Sequence, residues 1–199
     1  MANASFDTVD PSHLALAVYP AAVLRARALP IPEVTEKVRG VAAAMLEIMR
    51  AEQGIGLAAP QVGLSWRLFV ADVPKDPKAK PPKGEFAALP VHTDGPMVYI
   101  NPVLTKPCGP IERFEEGCLS LPEIRGDVIR PPTITIEATG LDGKRFTTTA
   151  TGLLARCWQH EMDHLDGVLI IDRMMEGHLA KNKRLIRELE ENAAFRPGR

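Results

Sequence analysis

The chain predicts an α+β fold, with mainly antiparallel β-sheets packed around one central helix. Three observations predict it. A helix-period apolar stripe ends near residue 54, a series of short strand-like segments occupies 66 to 150, and a second helix-like segment at 151 to 165 follows them. Strands joined by short breaks pair antiparallel, and a helix arriving after them buries its apolar stripe on their face.

The 199 residues are expected to form one domain, 1–199, large enough for a core without disulfide staples. A net charge of −1 argues against a nucleic-acid or membrane-surface binder. No apolar run approaches the ~18 residues that span a bilayer. The N-terminus, MANASFDTVDPSH, lacks the basic start and apolar block of a signal peptide and is poor in Arg. Cys108, Cys118 and Cys157 are odd in number and irregular in spacing, so a disulfide framework is not expected and a reducing cytoplasm fits best.

In chain order, residues 33 to 53 follow Pro32 and read as an amphipathic helix. Val34, Val38, Val41, Met45 and Ile48 recur at helical spacing, and Gly54 is expected to end it. Residues 66 to 73 (WRLFVADV) read as a strand. The Pro-, Lys- and Gly-rich stretch 74–96 reads as a surface loop or insertion that either shapes access or decorates the surface. Strand character resumes at 97 to 101, followed by strands near 111–118, 124–130, 133–139 and 144–150. Pro122, Pro131-Pro132 and Leu141-Asp142-Gly143 are expected to separate them. Thr151 is placed to cap a helix to about Leu165, with Gly167 closing it. Residues 176–193 read as a charged last helix, with Leu185, Ile186 and Leu189 facing the body or a partner. The FRPGR tail is expected to fray.

The strongest chemical signal is QHEMDH, residues 159 to 164. His160 and His164 lie four apart on the expected helix, so both imidazoles reach one face and one ion. Glu161 lies beside the first histidine, where a base serves metal-assisted hydrolysis. This makes the central helix the metal-binding one. A third ligand is needed. Cys157 and His164 are about 10 Å apart along a helix axis, at 1.5 Å rise per residue, so the third ligand comes from another segment and Cys157 reads as a small core residue. Cys118, Cys108 and carboxylates remain. Cys108 in KPCGP reads as a loop thiol. Cys118 lies in EEGCLSLP, where Gly117 lets the backbone bend. A Cys/His/His set leaves a coordination place for water, as catalytic rather than structural sites do.

GIGLAAPQ (54 to 61), EGCLSLP (116 to 122) and QHEMDHLDG (159 to 167) together resemble the three ordered signature motifs of the peptide deformylases. The likeness extends from about Val18-Tyr19-Pro20 to Leu169. It implies removal of the formyl group from N-formylmethionine at the start of new polypeptides. It also implies Cys118, His160 and His164 as ligands of one Fe²⁺, with Zn²⁺ or Ni²⁺ as substitutes. Glu161 becomes the proton carrier, and Gln61 and the backbone N–H of Leu119 the donors to the formyl oxygen. Such donors suit an oxygen on which charge grows, and one can be worth ~3 kcal/mol.

The edge Gly54-Ile55-Gly56 lets a peptide backbone approach and pair as an added strand. Gly117 flanks the ligand, and Ile55 and Leu121 are candidate walls for a methionine side chain, with a plain core position as the alternative for either. Glu116 and Ser120 read as supporting hydrogen-bond partners, and Asp163 as orienting a ligand or pairing with an arginine such as Arg156. Expected partners are N-formylmethionyl peptides and nascent chains, with a transient meeting with the ribosome; no sequence-specific nucleic-acid contact and no membrane are expected. The long 74–96 loop and Ala21-Ala22 after Pro20 depart from a compact member. Two other readings compete. An H-E-x-x-H metallopeptidase would use a downstream His or Glu as third ligand, and none stands out; a formyl-peptide- or metal-binding module that has lost its chemistry would lack the base or the donor, and Glu161 and Gln61 are both present.

Overall fold

A computed structural model describes residues 8–77 and 82–194. The expected fraying of 195–199 falls outside these residues. The first helix, α1, spans Glu36–Ala51. It starts later than its apolar period suggests because Thr35 supplies the cap, its Oγ1 accepting from the Val38 N–H. Val38, Val41, Ala42, Met45 and Met49 form its buried stripe. The left-handed residue that ends it is Gln53 (φ 56°), not Gly54, and the Gly54 N–H then reaches the Met49 carbonyl at 2.8 Å.

Among the described residues seven strands follow: β1 (Gly56–Ala58), β2 (Leu68–Ala71), β3 (Met97–Cys108), β4 (Glu112–Cys118), β5 (Leu121–Arg130), β6 (Thr133–Thr139) and β7 (Arg145–Thr151). Five make one sheet in the order β1-β2-β3-β6-β7, and β4 and β5 form a separate hairpin. Every pairing between these strands is antiparallel. Strand β3 runs well past residue 101, through Pro102 and Pro107, with register shifts near each proline where a ladder N–H is missing. Cys108 thus ends a strand and is exposed. Pro122 lies inside β5 rather than breaking it, since that strand starts at Leu121, directly after a tight turn.

Helix α2 spans Gly152–Leu165. It lies between the two sheets. Ala155, Trp158 and Leu165 pack with Phe69, Tyr99 and Ile136 of the larger sheet, and Tyr99 stacks on Phe69 with ring centroids 4.5 Å apart. Arg156 points to the hairpin instead, donating to the carbonyls of Glu112 and Val128. Thr151 occupies the cap position, but its hydroxyl bonds Pro132 O and Thr133. The first turn is served by the 74–96 loop, whose Pro90 and Val91 carbonyls accept from the N–H groups of Thr151 and Leu154. The described part of that loop otherwise holds a single short 3₁₀ turn, Gly84–Phe86.

Gly167 (φ 74°) closes α2, and an added Cβ there would lie 2.6 Å from the Arg25 carbonyl. Helix α3 (Ile170–Arg173) and helix α4 (Glu176–Ala194) are the last elements of the described residues. Leu179, Leu185, Ile186 and Leu189 pack α4 against a cluster built on Leu24, Leu121, Ile124 and Val128. A second cluster joins α1 to Leu57, Leu68 and Val70. Each fully buried leucine of these clusters contributes about 1.5–3 kcal/mol through removal from water.

Candidate metal centre

One helical turn separates His160 from His164, and their ring centroids lie 5.0 Å apart. Cys118 comes to them from the end of β4, where a register shift between Gly117 and Cys118 turns the chain. Its Sγ is 3.2 Å from His164 Nε2. Ligand atoms of Cys118, His160 and His164 all lie within 4.8 Å of one another, and among the described residues they are the one such group. Bonds of about 2.0–2.3 Å from nitrogen and sulfur need that spacing. Thiolate with two imidazoles suits a borderline-soft divalent ion.

Burial pushes the His164 imidazole well below its usual pKa, and His160 and Arg130 push the same way. It is therefore neutral, with a lone pair for a cation. Burial also opposes charge on His160, but Cys118 and Glu116 outweigh it and hold that imidazole well above its usual value. The site draws positive charge to this point. Burial works against ionising Glu116, yet His160 and Arg130 keep its carboxyl well below the carboxylate range. Its Oε2 meets His160 Nδ1 at 3.0 Å, the second-layer support that ligating histidines commonly have.

Glu161 is 3% exposed and its Oε2 has no hydrogen-bond partner. Burial pushes this carboxyl up to about 7; Glu116 and Asp163 add to the rise and His160 and Arg130 oppose it. A buried oxygen without a partner beside three converging ligand atoms is what a water or substrate proton would meet. Cys157 lies beneath Gly56, with Sγ 3.6 Å from Ile55 O, and burial holds its thiol neutral, as befits a core residue.

Gln61 is 1% exposed, in the 3₁₀ turn Ala59–Val62. The Ala58 N–H donates to its Oε1 at 2.8 Å, which turns Nε2 toward Ser120 Oγ (3.3 Å) and Cys118 Sγ (3.6 Å). The amide is thus anchored by one end with its donor at the thiol. Gln61, Cys118, Glu116, His160 and Glu161 all line a cleft of about 320 Å³, with His164 buried behind it. Gly54, Ile55, Gly56, Gly117 and Leu119 line it together with His160 and Glu161.

Leu121 is not at this cleft. It is fully buried against Leu24 and Val128, because the strand's alternation turns it inward. Apolar wall comes instead from Phe114, Ile124 and Leu153, which the motifs do not single out. Two of them carried a signal. Leu153 lies two helical turns before His160, and Phe114 is on the face of β4 that bears Glu116 and Cys118. Asp163 pairs with Arg130 and Arg173, while Arg156 pairs with Glu116. No described residue of 74–96 lines the cleft.

Antiparallel sheets around an H-E-x-x-H helix, with a thiol brought to its two histidines, define a metal-dependent hydrolase. The family model described as polypeptide deformylase matches residues 13–179, and the chain belongs to that family. It removes the formyl group from the N-formylmethionine of newly made polypeptides and releases formate. The chain is 41% identical over 164 residues to peptide deformylase 2 of Gloeobacter violaceus, covering 82% of this chain and 80% of that one. It is 44% identical over 154 residues to the peptide deformylase of Acinetobacter baumannii, covering 77% and 78%. The crystal structure of peptide deformylase from Ehrlichia chaffeensis superposes with a TM-score of 0.80 at 30% identity, covering 92% of this chain and 97% of that one. No helix among the described residues is long and apolar enough to cross a membrane.

Proposed function

We propose that Cys118, His160 and His164 hold the ion, that Glu161 carries the proton, and that Gln61 Nε2 and the Leu119 backbone N–H receive the formyl oxygen. One observation carries this reading: a buried carboxylate oxygen of Glu161 without a hydrogen-bond partner lies in the cleft lined by Cys118 and His160, whose ligand atoms converge with that of His164. When bound, the ion supplies Lewis acidity and makes water acidic enough to attack at neutral pH. Glu161 takes the proton of the attacking water and hands it to the departing amine, a transfer suited to a carboxyl near neutrality. Gln61, pinned through its Oε1, keeps a neutral donor fixed where charge develops on the carbonyl oxygen.

Strand β1 is the edge of its sheet, so Gly54-Ile55-Gly56 offers backbone groups to a peptide entering as a further strand. Gly117 also lines the cleft, and Ile55, Phe114 and Leu153 supply apolar surface for the methionine side chain. The working ion is Fe²⁺, with Zn²⁺ or Ni²⁺ able to replace it; one thiolate and two imidazoles suit all three. The chain acts as a single catalytic domain in the cytoplasm on nascent chains, meeting the ribosome transiently. The unpaired cysteines favour a reducing compartment.

Formate release from a formyl-Met dipeptide, run beside a blocked internal peptide, tests the chemistry. Formate without internal cleavage is expected; internal cleavage alone replaces this reading with a metallopeptidase. Cys118→Ala is expected to lose bound metal and activity together, and an active, metal-replete variant removes Cys118 from the ligand set.

A further inference from the structure

Asp163 fills the second variable position of the H-E-x-x-H motif, yet it does not line the cleft and gives its carboxylate to two arginines. Its Oδ2 accepts from Arg130 Nη1 at 2.8 Å and Arg173 Nε at 3.3 Å, and its Oδ1 accepts from Arg173 Nη2 at 2.8 Å. Arg130 is 5% exposed and spends its other donors on Glu116, Nε to Oε1 at 2.7 Å and Nη2 to Oε2 at 3.0 Å. That same Oε2 meets His160 Nδ1. Five side chains from β4, β5, α2 and α3 therefore run without a gap from the half-exposed Arg173 to a ligand imidazole.

The outer end of this chain is itself fixed. Met174 bridges to Val128, and the Met175 N–H donates to the Asp127 carbonyl at 3.0 Å. An added Cβ at Gly126 would lie 2.5 Å from Met174 Sδ, so the residue that follows α3 packs closely on β5. Arg173 is thereby carried on a segment locked to the strand that carries Arg130. His164 contrasts with His160: its Nδ1 is buried with no hydrogen-bond partner among the described residues. Polar support of the imidazole pair thus enters through His160 and the chain behind it.

We propose that Asp163 and Arg173 are positioning residues for the metal centre, acting through Arg130 and Glu116 to hold the His160 ring with Nε2 toward the ion. Asp163 aligns the Arg130 guanidinium so that it grips both Glu116 oxygens, and Arg173 keeps Asp163 turned outward. The motif's acid thus serves its own histidine from behind, by way of a neighbouring strand. This inference rests on the reading of Cys118, His160 and His164 as ligands.

The test is the rate at which Ni²⁺-loaded protein loses its ion to a chelator, with the visible spectrum of the Co²⁺-loaded form as a second readout. Asp163→Asn keeps the size of the side chain and removes its charge; release is expected to quicken about 10- to 100-fold, the range for loss of support behind a ligand. Arg173→Gln is expected to quicken it about 3- to 10-fold, with Arg173→Lys nearer wild type. The Asp163→Asn/Arg173→Gln double variant is expected to lose metal no faster than Asp163→Asn alone, because the two act in series. The Co²⁺ bands are expected to shift in Asp163→Asn and Arg173→Gln while both stay folded. Should Asp163→Asn fail to fold, the half-exposed Arg173 carries the test by itself. Wild-type release rates and unchanged Co²⁺ bands overturn the proposal, as does an additive double variant. If Cys118→Ala holds Ni²⁺ as wild type does, the ligand reading has failed instead; if Cys118→Ala loses it and both charge variants hold it, the fault lies with this proposal alone.

Discussion

Replacing Gly56 by alanine adds one methyl group and, on this structure, removes most of the activity. Gly56 sits in β1 with its backbone outside the left-handed region, so alanine fits the main chain. The obstacle is contact. An added Cβ would lie 2.4 Å from Glu161 Oε1, 2.9 Å from Glu161 Cδ and 2.7 Å from Cys157 Sγ. Ordinary contact begins near 3.4 Å, so the carboxylate must retreat by about 1 Å. A misplacement of about 1 Å can cost a factor of about 10² in rate, which corresponds to about 2.7 kcal/mol in the barrier. Overpacking adds a stability loss of about 1–3 kcal/mol. Steady-state formate release from a formyl-Met dipeptide gives the answer: kcat is expected to fall about 100-fold, with KM and metal content near wild type. Gly54→Ala is the contrast. Its added Cβ would meet Leu119 Cδ1 at 2.8 Å, the far end of a flexible side chain that can swing aside, so a kcat loss below about tenfold is expected. A folded Gly56→Ala protein with kcat within threefold of wild type would refute the reasoning.

Glu161→Gln keeps the shape and removes the proton carrier, so turnover should drop by about 10²- to 10⁴-fold with metal content unchanged, checked by pairing the formate assay with metal analysis. Gln61→Leu deletes a fixed donor and is expected to lower kcat by about 10²- to 10³-fold; it also strands the Ala58 N–H, so a denaturant midpoint should show about 1–3 kcal/mol of lost stability. Leu24→Ala opens a cavity in the cluster that seats α4 and should cost about 2–5 kcal/mol in urea unfolding, while kcat of the folded fraction is unaffected.

Much of the metal centre was legible locally. His160, Glu161 and His164 share a helix whose period fixes their relative directions, so spacing alone brings the two imidazoles together. Boundaries were less legible where a side chain or proline had a tertiary partner. Thr151 holds the cap position but gives its hydroxyl to Pro132 and Thr133 across the sheet. Pro122 reads as a break, yet it lies one residue inside the start of β5, and β3 runs on through Pro102 and Pro107 with register shifts that absorb them. The sequence left Leu121 between substrate wall and core, and the structure places it in the core, because which face of a strand points inward depends on what packs against the sheet.

By itself, then, the sequence determined the order of helices and strands, the antiparallel character of the strands and the three stretches that carry the chemistry, all set by period, turn residues and spacing within a few residues. Only the tertiary structure brought the Cys118 thiol within reach of the histidines, put Glu116 in particular against His160, and showed Glu161 and Cys157 pressing on Gly56. The physical reason is distance along the chain. Contacts between residues 56 and 161, or 116 and 160, arise when separately formed elements pack, and no local period encodes the place where two such surfaces meet.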